Sequence, residues 1–422
     1  MNNEWSLDVL YKGYDDPQYK EDKEKLAKYI TELSEQSKSL AGSKDKEKDL
    51  LEVIERMERF QLLADKLGNF VYLKQSVNTT DGETANEINY FEKQISMVSK
   101  PMAMAKKFIA GIENLDEYIS KYPKLKEYEF MLKEIKEQSK YLLSDDVEEV
   151  IAKLNISAGS AWANMQSYLT STLEVEYRDS VITLSEVRNK AYDEDVNVRK
   201  DAYVAELAAL EKIKDAISFS LNNIKTQVNT ICDMRGYSSP LDMTLIQSRM
   251  KRQTLEAMLE AMREYLPAFH RYLKHKAKLL GHENGLPWYD LFAPIGESSR
   301  KFTPEEAKEY LVSHFKGFSE ELADMVAEAF DNAWIDFYPR KGKVGGAFCS
   351  NMPFVKQSRI LTNFTGSLSD VVTLAHELGH AYHGLNIQDH LPLNYEYSMP
   401  VAETASTFNE ALIMEAVINE SD

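Results

Sequence analysis

Two cysteines, Cys232 and Cys349, are all the chain contains. They are too few and too far apart for a disulfide framework or a thiolate metal site, and reduced thiols in the cytoplasm are the simplest expectation. Histidine is also scarce, with eight among 422 residues. Positive charge is in deficit: 50 Lys and Arg face 68 Asp and Glu, a net charge of −18. With no local basic patch, such a chain repels phosphate backbones, which argues against a nucleic-acid partner. No run of about eighteen apolar residues occurs, so no transmembrane helix and no membrane partner are expected. The opening "MNNEWSLDVLYKGYDD" is acidic and lacks the basic start and apolar run of a secretory leader. Repeats and low-complexity segments are missing as well.

Hydrophobic residues at 43% provide material for a sizeable core, and the length suggests two lobes or one large unit. The first 240 residues or so read as amphipathic helix. Leu26, Tyr29, Ile30 and Leu33 fall at helical spacing, as do Leu50, Val53, Ile54 and Met57. Residues 194–240 predict one long helix, or two, stopped by Gly236 and Pro240. Character changes near residue 280, where "GHENGLPWYDLFAPIG" predicts an ordered loop or short strand. "TPEE" from Thr303 starts a helix with a cap and a proline at its first position. A turn at "RKGK" then leads into a Gly-rich strand, and alternation over Ile360–Phe364 predicts another. "TGSLSD" caps the helix that follows, with Asp370 in its first turn.

That helix carries "TLAHELGHAYHG", with His376, Glu377, His380 and His383. His376-Glu377-Leu378-Gly379-His380 is an H-E-x-x-H pentapeptide. Residues four apart share a helix face, so both imidazoles can reach one Zn²⁺ ion. Glu377, offset around the helix, can take a proton from a metal-activated water. Leu374, Ala375, Leu378 and Ala381 predict that the imidazoles are substantially buried, a cost that a metal resolves. Downstream, "MPVAETASTFNEALIMEAVINE" predicts a second helix in which Glu403 and Glu410 lie two turns apart on one face. Glu403 is the candidate third ligand, although an early-turn glutamate can also serve only the helix dipole. Glu410 can fix the tautomer of a ligating histidine or be plain surface charge. His383 can line a cleft or be a neighbour of the site. His390, His270, His275, His282 and His314 show no ligand spacing.

These segments resemble the M3 family of zinc metallopeptidases, and within it oligoendopeptidase F. The resemblance extends from the zinc motif and "AETASTFNE" to "YPRKGKVGGAFCSN", "LPWYDLFAP" and "WSLDVLYKGYDDPQYKEDKEKL". It implies a mainly α fold with two helical lobes, a small β-sheet near the H-E-x-x-H helix and a deep substrate channel. An N-terminal helical lobe over 1–185 and a zinc-peptidase catalytic region over 186–422 are expected. Carried over, the family pattern makes His376, His380 and Glu403 the ligands of one zinc ion. It makes Glu377 the general base and proton shuttle, and Glu410 the residue that holds a ligand in place. The implied activity is cytoplasmic cleavage of internal bonds in short peptides.

Gly345, Gly346 and Ala347 lack bulk, so their strand is a candidate to line the substrate cleft, or else only a turn-forming hairpin. Members of the family continue beyond the point matching Asp422 and contribute tyrosine and histidine to the oxyanion site. An incomplete oxyanion site is therefore expected for residues 1–422. Two other readings are a zinc carboxypeptidase or amidohydrolase and a helical scaffold with a silent metal site. No basic pocket for a terminal carboxylate is visible, and nothing in the sequence sets the oligomeric state.

Overall fold

The computed structural model describes residues 2–295 and 300–420. Gly296, the last residue of the Gly- and Pro-rich stretch, lies outside them. Aspartates open the first three long helices, each accepting a hydrogen bond from the first turn: Asp16 for α1 (Pro17–Leu40), Asp45 for α2 (Lys46–Val77) and Asp81 for α3 (Gly82–Ala110). Their apolar stripes, including Leu26, Ile30, Leu33, Leu50, Val53, Ile54 and Met57, form one core. Shorter helices close it: α4 (Leu115–Lys121), α5 (Pro123–Glu127), α6 (Glu129–Gln138) and α7 (Asp145–Asn155).

After α8 (Gly159–Thr172) comes a hairpin of β1 (Glu174–Tyr177) and β2 (Ser180–Thr183), then α9 (Leu184–Asn189) and α10 (Val196–Glu211). Leu173, Val175, Leu184, Val187 and Ala202 make a small core of their own. The lobe boundary expected at residue 185 falls inside that cluster. The long helical pattern over 194–240 is two helices, α10 and α11 (Lys214–Arg235). Gly236 ends α11 at φ +77°, and the Tyr237 amide bonds back to Cys232 O at 3.1 Å, while Pro240 opens α12 (Pro240–Gln247). The 28-residue α13 (Arg252–Leu279) follows. The loop after it is ordered by a buried network: Arg199 Nε donates to Asp290 Oδ1 at 2.9 Å, and His282 Nε2 lies 2.6 Å from Asp290 Oδ2.

The second large core joins α14 (Pro304–Lys316), α15 (Glu320–Asp331), α16 (Leu368–Ile387) and α17 (Met399–Glu420). Thr303 and Glu306 form the capping box that starts α14. A three-stranded sheet, order β3-β5-β4, lies against α16: β3 (Ile335–Asp336) is parallel to β5 (Gln357–Leu361), and β5 is antiparallel to β4 (Phe348–Met352). Among the described residues, no strand pairs with the other edge of β4. The "RKGK" turn is anchored under the sheet, where Lys343, fully buried, meets Asp336 Oδ1 at 2.5 Å, and burial lowers its amine to about 8. The N-terminal segment ties the lobes together: Ser6 N bonds to Ala333 O at 2.9 Å, and Phe337 N bonds to Asn3 O at 3.0 Å. Between α2 and β4 runs a groove of about 500 Å³. No helix of the described residues is long and apolar enough to cross a membrane.

Candidate metal centre

Ser367 and Asp370 cap α16 reciprocally, with the Asp370 amide on Ser367 Oγ at 3.1 Å and the Ser367 amide on Asp370 Oδ2 at 2.9 Å. Val371, Leu374, Ala375, Leu378 and Ala381 are buried against the second core and fix the rotation of the helix. That leaves His376 and His380 on the flank facing α17, their side chains 26% and 15% exposed.

The two helices touch at Gly379. A Cβ there would lie 2.6 Å from Ala405 O and 2.7 Å from Ser406 Cα, so only glycine allows this approach. The contact sets Glu403, one turn into α17, over both histidines. Glu403 Oε2 is 3.3 Å from His376 Nε2 and 3.7 Å from His380 Nε2. The three donor atoms all lie within 4.8 Å of one another. A tetrahedral ion with bonds of roughly 2.0–2.2 Å needs donors about 3.3–3.6 Å apart, so this donor set fits a metal.

The surroundings hold each donor. His376 Nδ1 lies 3.2 Å from Glu410 Oε2, which places the proton on Nδ1 and turns Nε2 to the cluster. Ser406 Oγ donates to Glu403 Oε2 at 2.8 Å. Burial lowers the pKa of His380, against the pull of Glu403, and favours the neutral imidazole that a metal requires. Glu377 is 5% exposed, and its Oε2 has no hydrogen-bond partner among the described residues. Burial pushes its carboxyl up to about 7, with Glu403 adding to the shift and His376 opposing it. A carboxylate in that range exchanges protons readily near neutrality.

His383 lies outside the donor cluster. Its ring packs on Tyr397 with centroids 4.1 Å apart, and burial lowers its pKa. Gly345, Gly346 and Ala347 require a correction: the strand begins at Phe348, and the two glycines are exposed bends before it. Gly346 has φ +79°, and Asn363 Nδ2 donates to its carbonyl at 2.8 Å. His314 meets Glu420 and His282 meets Asp290, both away from the cluster.

Sequence reasoning missed Gly379 as the contact point and Asn351 altogether. Asn351 Nδ2 donates to His380 O at 2.9 Å and to Tyr397 Oη at 3.0 Å, pinning β4 to α16. The glycine inside the motif was a readable hint of close packing. Nothing local marks Asn351. A second cavity of about 890 Å³, between α6 and the α12–α13 connection, contains none of the clustered residues.

A helix-borne pair of histidines and a glutamate from the next helix form a candidate metal centre, with a buried carboxylate beside them, on a helical scaffold. The chain belongs to peptidase family M3, whose model matches residues 190–421. A model described as Oligopeptidase F matches residues 110–174. The chain is 26% identical to Oligopeptidase PepF of Bacillus subtilis (strain 168) over 98% of its own length, and it spans 62% of that relative. It is 26% identical to an oligoendopeptidase F homolog of Lactococcus lactis subsp. lactis (strain IL1403), covering 99% of this chain and 70% of the relative. Among solved structures, oligoendopeptidase-F from Enterococcus faecium aligns with TM-score 0.64 and 19% identity, covering 96% of this chain and 68% of that one. PZ peptidase A, solved with an inhibitor, aligns with TM-score 0.71 and 17% identity, over 91% and 67%.

Proposed function

We propose that the protein is a zinc-dependent endopeptidase that cleaves internal bonds of short oligopeptides. The observation that carries this reading is the convergence of His376 Nε2, His380 Nε2 and Glu403 Oε2 beside the unpartnered Oε2 of Glu377. Two imidazoles and one carboxylate suit zinc and leave a coordination position open. His376, His380 and Glu403 would hold the zinc, which would supply Lewis-acid charge to a peptide carbonyl. Glu377 Oε2 would take the proton from a water attacking that carbonyl and pass it to the departing amine nitrogen. Glu410 keeps His376 in the tautomer that presents Nε2. The edge of β4 away from β5 offers main-chain groups to an extended peptide, and the groove beside it suits a chain without folded structure. Names of the relatives, which speak of oligopeptides, agree with that substrate class. The cytoplasm is the proposed location, supported by two unpaired cysteines.

The test compares the unsubstituted protein with Glu377→Gln on an internally quenched peptide. Loss of roughly 10²–10⁴ in turnover is expected, with bound zinc unchanged by metal analysis. Chelation abolishes cleavage and added zinc restores it. Undiminished cleavage by Glu377→Gln removes its role as base, and zinc-independent cleavage removes the metal.

A further inference from the structure

Strand β4 packs on the metal helix α16 and also contacts α2, and the groove between α2 and β4 is walled largely by apolar and aromatic groups, among them Phe60, Tyr72, Phe91 and Phe348. Among the described residues that line it, Asp65 is the only acid and none is a cation. Gln61 Nε2 donates to Asp65 Oδ1 at 2.8 Å. Burial raises this carboxyl to about 6, and the nearby Glu396 adds to the rise rather than relieving it. A half-buried carboxylate with no counter-ion among the described residues that line its groove, beside a like charge, is costly to keep unless something else supplies the cation.

The strand next to it shows what could. Ser350 faces α2, its Oγ 2.7 Å from Asn69 Oδ1, while Asn351 faces α16 through His380 O. Cys349, on the same face as Asn351, is close enough to Glu377 for that charge to help push its thiol up, behind the larger effect of burial. An extended peptide laid along the edge of β4 away from β5 alternates its side chains in the same way. The residue next to one facing Glu377 then points toward α2 and Asp65. We propose that this groove is a subsite for a cationic substrate side chain, Arg or Lys, whose stem lies on the aromatic walls and whose charge meets Asp65. Long cationic side chains suit such a site because their methylenes cover apolar surface while the head reaches an acid. This deepens the peptidase reading and rests on it for the direction of the bound chain.

The experiment uses the full chain and short acetylated, amidated peptides, so that no terminal amine or carboxylate competes. Each peptide carries one Arg at a scanned position, paired with a twin bearing the uncharged isostere citrulline. Dissociation constants are measured on Glu377→Gln, which removes turnover, and kcat/KM on the unsubstituted chain. At one position Arg is expected to be favoured by about tenfold, the size of one modest ion pair. Adding Asp65→Asn brings the ratio close to one while citrulline binding stays unchanged, which also shows that the variant is folded. Asp65→Glu keeps part of the preference. A ratio near one at every position overturns the proposal, as does a preference that survives Asp65→Asn or a failure of both peptides to bind. If Arg is preferred in binding but nothing is cleaved, the subsite stands and the peptidase reading falls.

Discussion

His376 works through both of its ring nitrogens, one turned to the donor cluster and one to Glu410 at 3.2 Å. Two roles for Glu410 were open in the sequence, tautomer control and plain surface charge, and the contact with His376 Nδ1 is the observation on which we propose the first. Glu410 is 42% exposed, so a charge pair there stabilises the fold little. Glu410→Gln is therefore expected to weaken zinc affinity by about 10- to 100-fold, measured by competition with a chromophoric chelator, with little change in melting temperature. Affinity equal to the unsubstituted protein rules out the orienting role. Glu377 was legible because its place in the pentapeptide is local. Its shift to about 7 was not, since that comes from burial by elements far along the chain.

Helices α16 and α17 act as one unit, and their close contact at Gly379 is what brings Glu403 within 3.7 Å of both histidines. Gly379→Ala forces the α17 backbone away, since the new methyl would meet Ala405 O and Ser406 Cα rather than a movable side chain. Overpacking of this kind costs about 1–3 kcal/mol. The expected outcome is a lower melting temperature together with weaker zinc binding, read by calorimetry and metal titration. A variant with reduced stability and undiminished zinc affinity separates the contact from the site. Caps and apolar spacing made both helices readable in advance, as Ser367, Asp370 and Thr303 show. Strand limits were less readable: the glycines before Phe348 belong to a turn held by Asn363, a residue from beyond β5.

The whole molecule holds two large cores, and hydrogen bonds from the N-terminal segment reach the second. It also presents one long apolar surface. On α13, Met258, Met262, Tyr265, Phe269 and Tyr272 recur along one face, each 48–66% exposed. An exposed apolar stripe of that length is a binding or association liability. The chain is expected to enhance the fluorescence of the apolar dye ANS, and Tyr265→Lys with Phe269→Lys to reduce it. Stability should move by only about 0.5 kcal/mol, because the replaced side chains are exposed. Unchanged dye fluorescence in the double variant places the apolar surface elsewhere.

Local information by itself determined which residues could bind a metal, where α14 and α16 start, and that the chain is mainly helical. Caps, apolar spacing and the H-E-x-x-H pentapeptide each act within a few residues, so a linear reading reaches them. Tertiary structure decided that Glu403 and Glu410 both reach His376, that Gly379 permits it, and that Asn351 ties β4 to the metal helix. It also set Asp65 opposite a strand about 280 residues away in sequence, as the Asn69–Ser350 bond beside it shows at a separation of 281. Such pairings depend on the packing of whole cores, and no local pattern encodes the distance between two faces that meet only after the chain has folded.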